Sequence, residues 1–211
     1  MSNVGFVTET SLRNFLAALA SAEAAHGTLS AAAFAAAMGI SLLLKSAALP
    51  KTKSESIDDR TALINSATAL RVVQEQLIET IETETAVRVF AARRMPEASQ
   101  VQRRERKAAL QFALRAAADV PLEVMRLSSA ALTHAEDVAA RSSHAASRNI
   151  QLAVALLRDG FDGARLNLES KLSTLTDVVY TAAVIDEVSR LSEEATTKVS
   201  AVEALVQLPP A

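Results

Sequence analysis

The sequence predicts an all-α protein, and we expect a single-domain bundle of about six or seven long antiparallel helices over residues 1–211. Apolar residues recur at i, i+3, i+4 and i+7, the spacing of one helix face. The chain has no stretch in which apolar and polar residues alternate as they do in a half-buried strand. Glycine and proline are scarce, with five of each, so few positions interrupt long helices.

Each predicted helix carries an apolar stripe that would face the core. One long helix is expected from about residue 56 to residue 94. Pro121 is expected in the first turn of a new helix, where its missing N–H costs little. Gly160 and Gly163 are expected to separate two helices, and the stripe that starts at Leu168 to open the last one. The stripe residues are Leu12, Phe15, Leu16, Leu19, Leu63, Leu70, Leu77, Ile81, Leu110, Leu114, Ala117, Ile150, Ala153, Val154, Leu157, Leu168, Leu172, Leu175, Val179 and Ala182.

Residues 22–49 are almost all small or apolar, which raises the question of a membrane span. Lys45 interrupts the window, and its alanines and serines contribute little to insertion. We therefore expect no span and no secretory leader. Small residues let helix backbones approach closely, so this segment, with Gly39 inside it, is expected at the bundle centre or at a subunit contact. Residues 50–55 (PKTKSE) are expected to form an exposed loop.

The bulk composition excludes several classes of function. The formal charge is −2 with both signs mixed along the chain, which is not the basic footprint of a nucleic-acid-binding domain. There is no cysteine, hence no disulfide or thiol chemistry. The three histidines are scattered, without the converging ligands that zinc requires, so no metal is expected.

Three motifs carry a resemblance to a known family. The most specific is RKAALQFALRAAADVPLEVM at residues 106–125, and the others are MPEAS at 95–99 and GARLNL at 163–168. Over residues 12–205 the chain resembles the cyclodeaminase/cyclohydrolase family. That family includes the methenyltetrahydrofolate cyclohydrolases and the cyclodeaminase domain of formiminotransferase-cyclodeaminase. The resemblance implies an all-α homodimer that binds a tetrahydrofolate derivative as substrate in a cleft. A cytoplasmic location is expected separately, because neither a leader nor a membrane span is predicted.

The chain departs from the family at the cleft motifs. Where a family member has Pro-Gly-Gly-Gly-Ser, this chain has HGTLS, which keeps only Gly27 and Ser30 for binding at a helix start. A Gly-Lys-Lys-Lys run is reduced to TKSE, in which Lys53 alone matches. Glu82 stands in place of an aspartate, and Asn149 in place of another, where it keeps the shape but cannot take a proton.

Each matching residue has a functional and a plain interpretation. Glu82 is expected to be the acid or base because it ends an apolar stripe, or else it is an exposed glutamate. Arg106 would bind a folate carboxylate, or else belong to a solvent-exposed run of charged residues. Lys53 would attract the folate tail, or be a loop lysine. Asn149 would orient the substrate, or lie at a helix edge as a capping residue. His26 is a further possible group in the same region.

Two functions remain open from the sequence. The first is a one-carbon enzyme that hydrolyses a C–N bond of methenyltetrahydrofolate or removes ammonia from formiminotetrahydrofolate, as a hydrolase or a lyase. The second is a divergent, non-catalytic paralogue that binds a folate or pterin or acts as an interaction or structural subunit. The intact motif around Arg106 and Pro121 favours the first, and the four altered cleft motifs favour the second.

Overall fold

The computed structural model of this protein describes residues 11–21, 27–81, 94–95 and 99–206. Its described part is all-α, which confirms the predicted fold class. Six α-helices follow one another, with a single 3-10 turn at His144–Ala146 before the fifth. The helices are α1 Leu12–Ala20, α2 Thr28–Ala47, α3 Ile57–Ile81, α4 Gln100–Arg141, α5 Ser147–Leu172 and α6 Val178–Val206.

Helices α2 and α5 run in opposite directions. Asn167 of α5 bonds to Thr28 at the start of α2, and a glycine of each helix meets the other helix in antiparallel register. By contrast α4 and α6 are parallel, with Arg126 bonded to Glu187 and Lys198 to Glu136. We call the end of the bundle where α2 begins the Gly27 end, and the opposite end, where α2 ends, the Lys53 end.

Helix α2 occupies the bundle centre, as the sequence predicted from its small residues. It packs against α3, α4 and α5. A Cβ atom added at Gly39 would lie 2.7 Å from the Ala153 carbonyl oxygen, and one at Gly160 would lie 2.7 Å from the Ala32 carbonyl oxygen. Real Cβ atoms do not approach this closely, so glycine is what permits the α2–α5 contact.

Among the described residues, α2 is also the one helix whose length and mean hydropathy of 1.6 would suit a membrane span. Its contacts with three other helices give the composition a different explanation. A helix that is apolar all round is what the core of a helical bundle requires.

The core of the bundle follows most of the predicted stripes, but the prediction is wrong for Leu12, Leu16 and Val179, which are 59%, 54% and 82% exposed, and for Ala182, which is also exposed. Leu63, Leu70 and Leu77 of α3 are each at most 1% exposed. Helix α1 joins the core through one buried residue, Phe15, whose ring lies 5.0 Å from the ring of Phe34.

Three predicted boundaries are wrong. Pro121 starts no helix, since it lies buried inside the 42-residue α4. Gly160 and Gly163 separate nothing, since both lie within α5 and face α2. The stripe from Leu168 spans two helices, because α5 ends at Leu172 and α6 begins at Val178, where the Asp177 carboxylate accepts the Tyr180 N–H.

Candidate functional site at the start of helix α2

Among the described residues, nothing covers the start of α2, and no side chain caps it. Gly27 occupies the N-cap position in an extended conformation, with φ −131° and ψ −159°, and makes no side-chain capping bond. A Cβ atom at Gly27 would meet nothing within 4 Å in the described structure. The first N–H groups of a helix have no partner within the helix, and its dipole favours negative charge there. This end of α2 therefore suits an anionic or carbonyl oxygen.

A cavity of about 520 Å³ lies beside this helix start, between α2 and α5. Its wall is mostly small and apolar and includes Ala31, Ala35, Gly163 and Leu166. Two polar residues stand at its edge, where the Asn167 Nδ2 donates to the Thr28 Oγ1 at 3.0 Å. The Asn167 Oδ1 is buried and accepts no hydrogen bond within the described residues. The cavity thus combines an apolar floor with a polar rim.

Leu29 and Ser30 follow Gly27 and point away from the open space. Ser30 is buried, with 8% of its surface exposed. Leu29 is partly buried and packs against the core. The bulky side chain that stands in place of a family glycine therefore packs into the bundle rather than over the helix start.

Lys53 and Asn149 lie at the other end of the bundle. The Lys53 N–H donates to the Arg141 carbonyl at the end of α4, at 2.8 Å, and its side chain is exposed. Asn149 is half-buried in the first turn of α5. Because α2 has 20 residues that rise about 1.5 Å each, this pair lies roughly 30 Å from Gly27 within one chain.

Arg106 lies on α4 near the Gly27 end. Five residues further along α4, the Gln111 Oε1 accepts the N–H of Thr176, which follows the end of α5. Arg106 is half-buried, one and a half turns before that contact. Glu82 and His26 lie outside the described residues. Of the predicted site residues, the structure thus groups Gly27, Ser30 and Arg106 at one end, and Lys53 with Asn149 at the other.

Comparison with known proteins identifies the family. Residues 11–190 match the family described as formiminotransferase-cyclodeaminase. The chain belongs to this family. Membership confirms the predicted cyclodeaminase-like function on folate one-carbon units. No curated protein sequence matches the chain.

The fold is also that of a solved cyclodeaminase. The crystal structure of formiminotetrahydrofolate cyclodeaminase from Thermotoga maritima superposes with a TM-score of 0.85 at 19% sequence identity. The superposition covers 95% of this chain and 97% of that one. At this identity the likeness concerns the fold alone.

Within this family member, Lys171 is a candidate that sequence reasoning missed. It lies one turn after Asn167 on α5, hence on the face that meets α2. It is half-buried, and burial lowers the pKa of its ammonium group. No ion pair of Lys171 occurs among the described residues. The i, i+4 spacing from Asn167 was the available signal.

No metal centre is formed by the part of the chain that the structure describes. Within it, no group of three or more histidine, aspartate or glutamate side chains could hold an ion. The expectation that the family member works without a metal stays a prediction.

Proposed function

We propose that this chain is an enzyme of tetrahydrofolate one-carbon chemistry, a formiminotetrahydrofolate cyclodeaminase or a methenyltetrahydrofolate cyclohydrolase. In the first reaction the formimino carbon bonds to N10 and ammonia leaves. In the second, water adds to the methenyl carbon and a C–N bond opens to give the 10-formyl form. The observation that carries the proposal is the family match over residues 11–190, on a fold whose described residues leave space beside Gly27 at the start of α2.

Both reactions need a proton donor or acceptor and a group that orients the substrate. They also need cationic side chains that bind the anionic glutamate tail of the folate. We assign proton transfer to Glu82 and substrate orientation to Asn149. Arg106 and Lys53 bind the carboxylates of the glutamate tail, since arginine and lysine are the side chains that hold carboxylates. Gly27 and Ser30 belong to the helix start that receives the ring system, where Ser30 contributes its backbone N–H because its side chain is buried.

These residues require a second copy of the chain to meet. The Gly27 group and the Lys53 group lie about 30 Å apart in one protomer, a length set by the rise of α2. Ala31, Ala35 and Met38, which are partly or largely exposed, follow i, i+4 and i+7, the spacing of one helix face. Met38 is 39% exposed, unusual for a large apolar side chain on a core helix. This face is suited to contact with a partner.

Exposed leucines extend the same face onto α5. Leu166 is 63% exposed and lines the same cavity as Ala31 and Ala35. Leu152 on the same helix is 54% exposed. A two-fold axis that pairs α2 with α2 of the partner in opposite directions would bring the Gly27 end of one protomer to the Lys53 end of the other. We therefore propose a homodimer with two shared sites.

The remaining properties follow from the same chemistry. The substrate is a folate, and the nearly balanced charge of −2 gives no basis for a nucleic-acid partner. We place the enzyme in the cytoplasm, where a chain without cysteine needs no oxidising environment.

One observation favours a second candidate function. Leu29 packs against the core at a position where the family has glycine. The backbone of the helix start therefore lacks the conformational freedom of glycine at this position. A folate- or pterin-binding protein without turnover, or a subunit that serves an interaction, would tolerate that change. Turnover by the purified protein distinguishes the two.

The experiment follows absorbance of methenyltetrahydrofolate and, separately, ammonia release from formiminotetrahydrofolate. Arg106→Ala should reduce kcat/KM by about 10-fold or more, the scale of one lost charge-assisted bond. Arg104→Ala, an exposed arginine of the same run, is the matched control and should leave both rates unchanged. Absence of both activities in folded protein would refute the enzyme and favour the binding protein.

A further inference from the structure

The loop between α2 and α3 is fixed by one arginine. Arg60, in the first turn of α3, donates from Nη1 to the Ala47 carbonyl at 3.2 Å. Its Nη2 donates to the carbonyls of Leu49 and Pro50 at 2.8 and 2.6 Å. The carbonyls at the end of a helix have no partner within the helix, so Arg60 serves as the C-terminal cap of α2.

The same loop is tied at two further points. The Asp59 carboxylate accepts the Ser54 hydroxyl at 2.5 Å and the Ser54 N–H at 3.2 Å. The hydrogen bond from Ser54 is the main reason that the pKa of Asp59 lies below its usual value. Between these anchors, the Lys53 N–H donates to the Arg141 carbonyl on α4 at 2.8 Å.

The chain turns sharply just after Lys53. Glu55 has φ 55°, a left-handed conformation that costs a non-glycine residue about 1 kcal/mol or more. Such a conformation persists where the surrounding contacts determine it. The loop was expected from the sequence to be merely exposed, but its backbone is held on both sides of Lys53.

We propose that Arg60 is a positioning residue for Lys53. It clamps three carbonyls before the loop so that the Lys53 ammonium group is presented at a fixed place at the Lys53 end of the bundle. A guanidinium group spans three carbonyls because it is planar and carries five N–H donors, which a lysine ammonium cannot match in that geometry. The inference rests on the proposed function, in which Lys53 binds the glutamate tail.

A purely structural role of Arg60 makes a different prediction. If Arg60 only stabilises α2, its loss lowers the free energy of unfolding without a specific effect on substrate binding. If it positions Lys53, its loss raises KM for a polyglutamylated substrate and leaves kcat nearly unchanged, since the tail does not react.

A double-mutant cycle of Arg60→Ala and Lys53→Ala separates these roles. Arg60→Ala should raise KM by about 5- to 10-fold, and by less than about 2-fold in the Lys53→Ala background, because coupled residues are not additive. Arg60→Lys should restore little of the loss. Arg71→Ala, an exposed arginine of the same helix, is the control. An equal KM increase with and without Lys53, or no increase, would overturn the proposal.

Hydrogen exchange gives a readout that does not need turnover. Arg60→Ala should accelerate exchange of the Lys53 amide by about 10-fold or more, whereas amides in the middle of α2 should not change. If the wild-type protein showed no turnover, the proposed function would fail, and exchange would still decide the positioning role. An unchanged Lys53 amide would contradict it.

Discussion

Two seams between helices hold the bundle together by opposite means. Between α2 and α5 the backbones nearly touch, with glycine on both sides. Between α4 and α6 the contacts are charged: Arg126 forms two hydrogen bonds of 2.8 Å with Glu187, and Lys198 lies 2.6 Å from Glu136. The first seam responds to side-chain volume and the second to charge. The candidate site lies at the ends of the first, so its scaffold should be insensitive to pH.

The same contrast appears along α2 itself. An added Cβ at Gly39 would lie 2.7 Å from a backbone oxygen, whereas one at Gly27 would meet nothing within 4 Å in the described structure. Glycine in the middle of the helix is required by packing. At the start of the helix, no described residue packs into the space beside glycine. A binding site requires such free space.

The largest effect should come from filling the α2–α5 seam. Gly160→Val places side-chain atoms against the Ala32 carbonyl and the Ala36 side chain, and the helices must separate. We expect a loss of about 3 kcal/mol in the free energy of unfolding, the upper range for overpacking. Urea unfolding measures it, with Gly27→Ala as the control, expected below about 1 kcal/mol. Similar losses in both variants would contradict the contrast within α2.

The next effect concerns the rim of the cavity. Asn167→Ala removes the bond to the Thr28 hydroxyl and should cost about 1 kcal/mol, the usual net value of a hydrogen bond. In the Thr28→Ala background, Asn167→Ala should cause no further loss of stability. Asn167→Ala alone should also raise the KM for the folate substrate. Additive losses in the two variants would show that Asn167 stabilises the protein by other contacts.

Lys171 should show a trade between stability and activity. Burial lowers its pKa, so the folded state binds protons less well than the unfolded state, and its contribution to stability rises with pH up to the unfolded value near 10.5. Lys171→Met should stabilise the protein at pH 7 by less than about 1 kcal/mol, because the group is half-exposed. Activity should fall if Lys171 faces the substrate. Unchanged kcat/KM would remove Lys171 from the site.

The smallest effect should come from the charged seam. Arg126 holds the pKa of Glu187 below its usual value, so the stabilisation is present above about pH 4.5 and is lost as the pH falls through the lowered pKa. Glu187→Gln should cost a few tenths of a kcal/mol to about 1 kcal/mol at pH 7 and less in acid. Unfolding measured between pH 7 and pH 3 tests it. A loss that is the same at both pH values would indicate packing rather than charge.

Periodicity predicted most of the fold, and its errors have physical reasons. Pro121 sits inside α4 because packing of its buried ring can offset one missing N–H bond in a long helix. Gly160 and Gly163 look like breaks by composition, but their role depends on a partner helix that is distant in sequence. The start of α6 could have been found, since Asp177 is a good N-cap residue three positions before Tyr180.

The candidate site was less predictable. Resemblance supplied Gly27, Ser30, Lys53, Arg106 and Asn149, but no local pattern states that they lie at opposite ends of a bundle. That separation follows from the antiparallel register of α2 and α5. Arg60 was missed because its partners are carbonyl groups, which carry no sequence signal.

The shared site is tested most directly by co-expressing Lys53→Ala and Arg106→Ala chains with different tags and purifying the mixed dimer. At substrate concentrations well below KM, each variant alone should show a kcat/KM about 10-fold or more below that of the wild-type protein. If each site uses both protomers, one of the two sites in the mixed dimer carries both intact residues, so about half of wild-type activity should return. If both residues act in sites within one chain, every site in the mixed dimer lacks one of them. Activity as low as that of the single variants would then contradict a site shared between protomers.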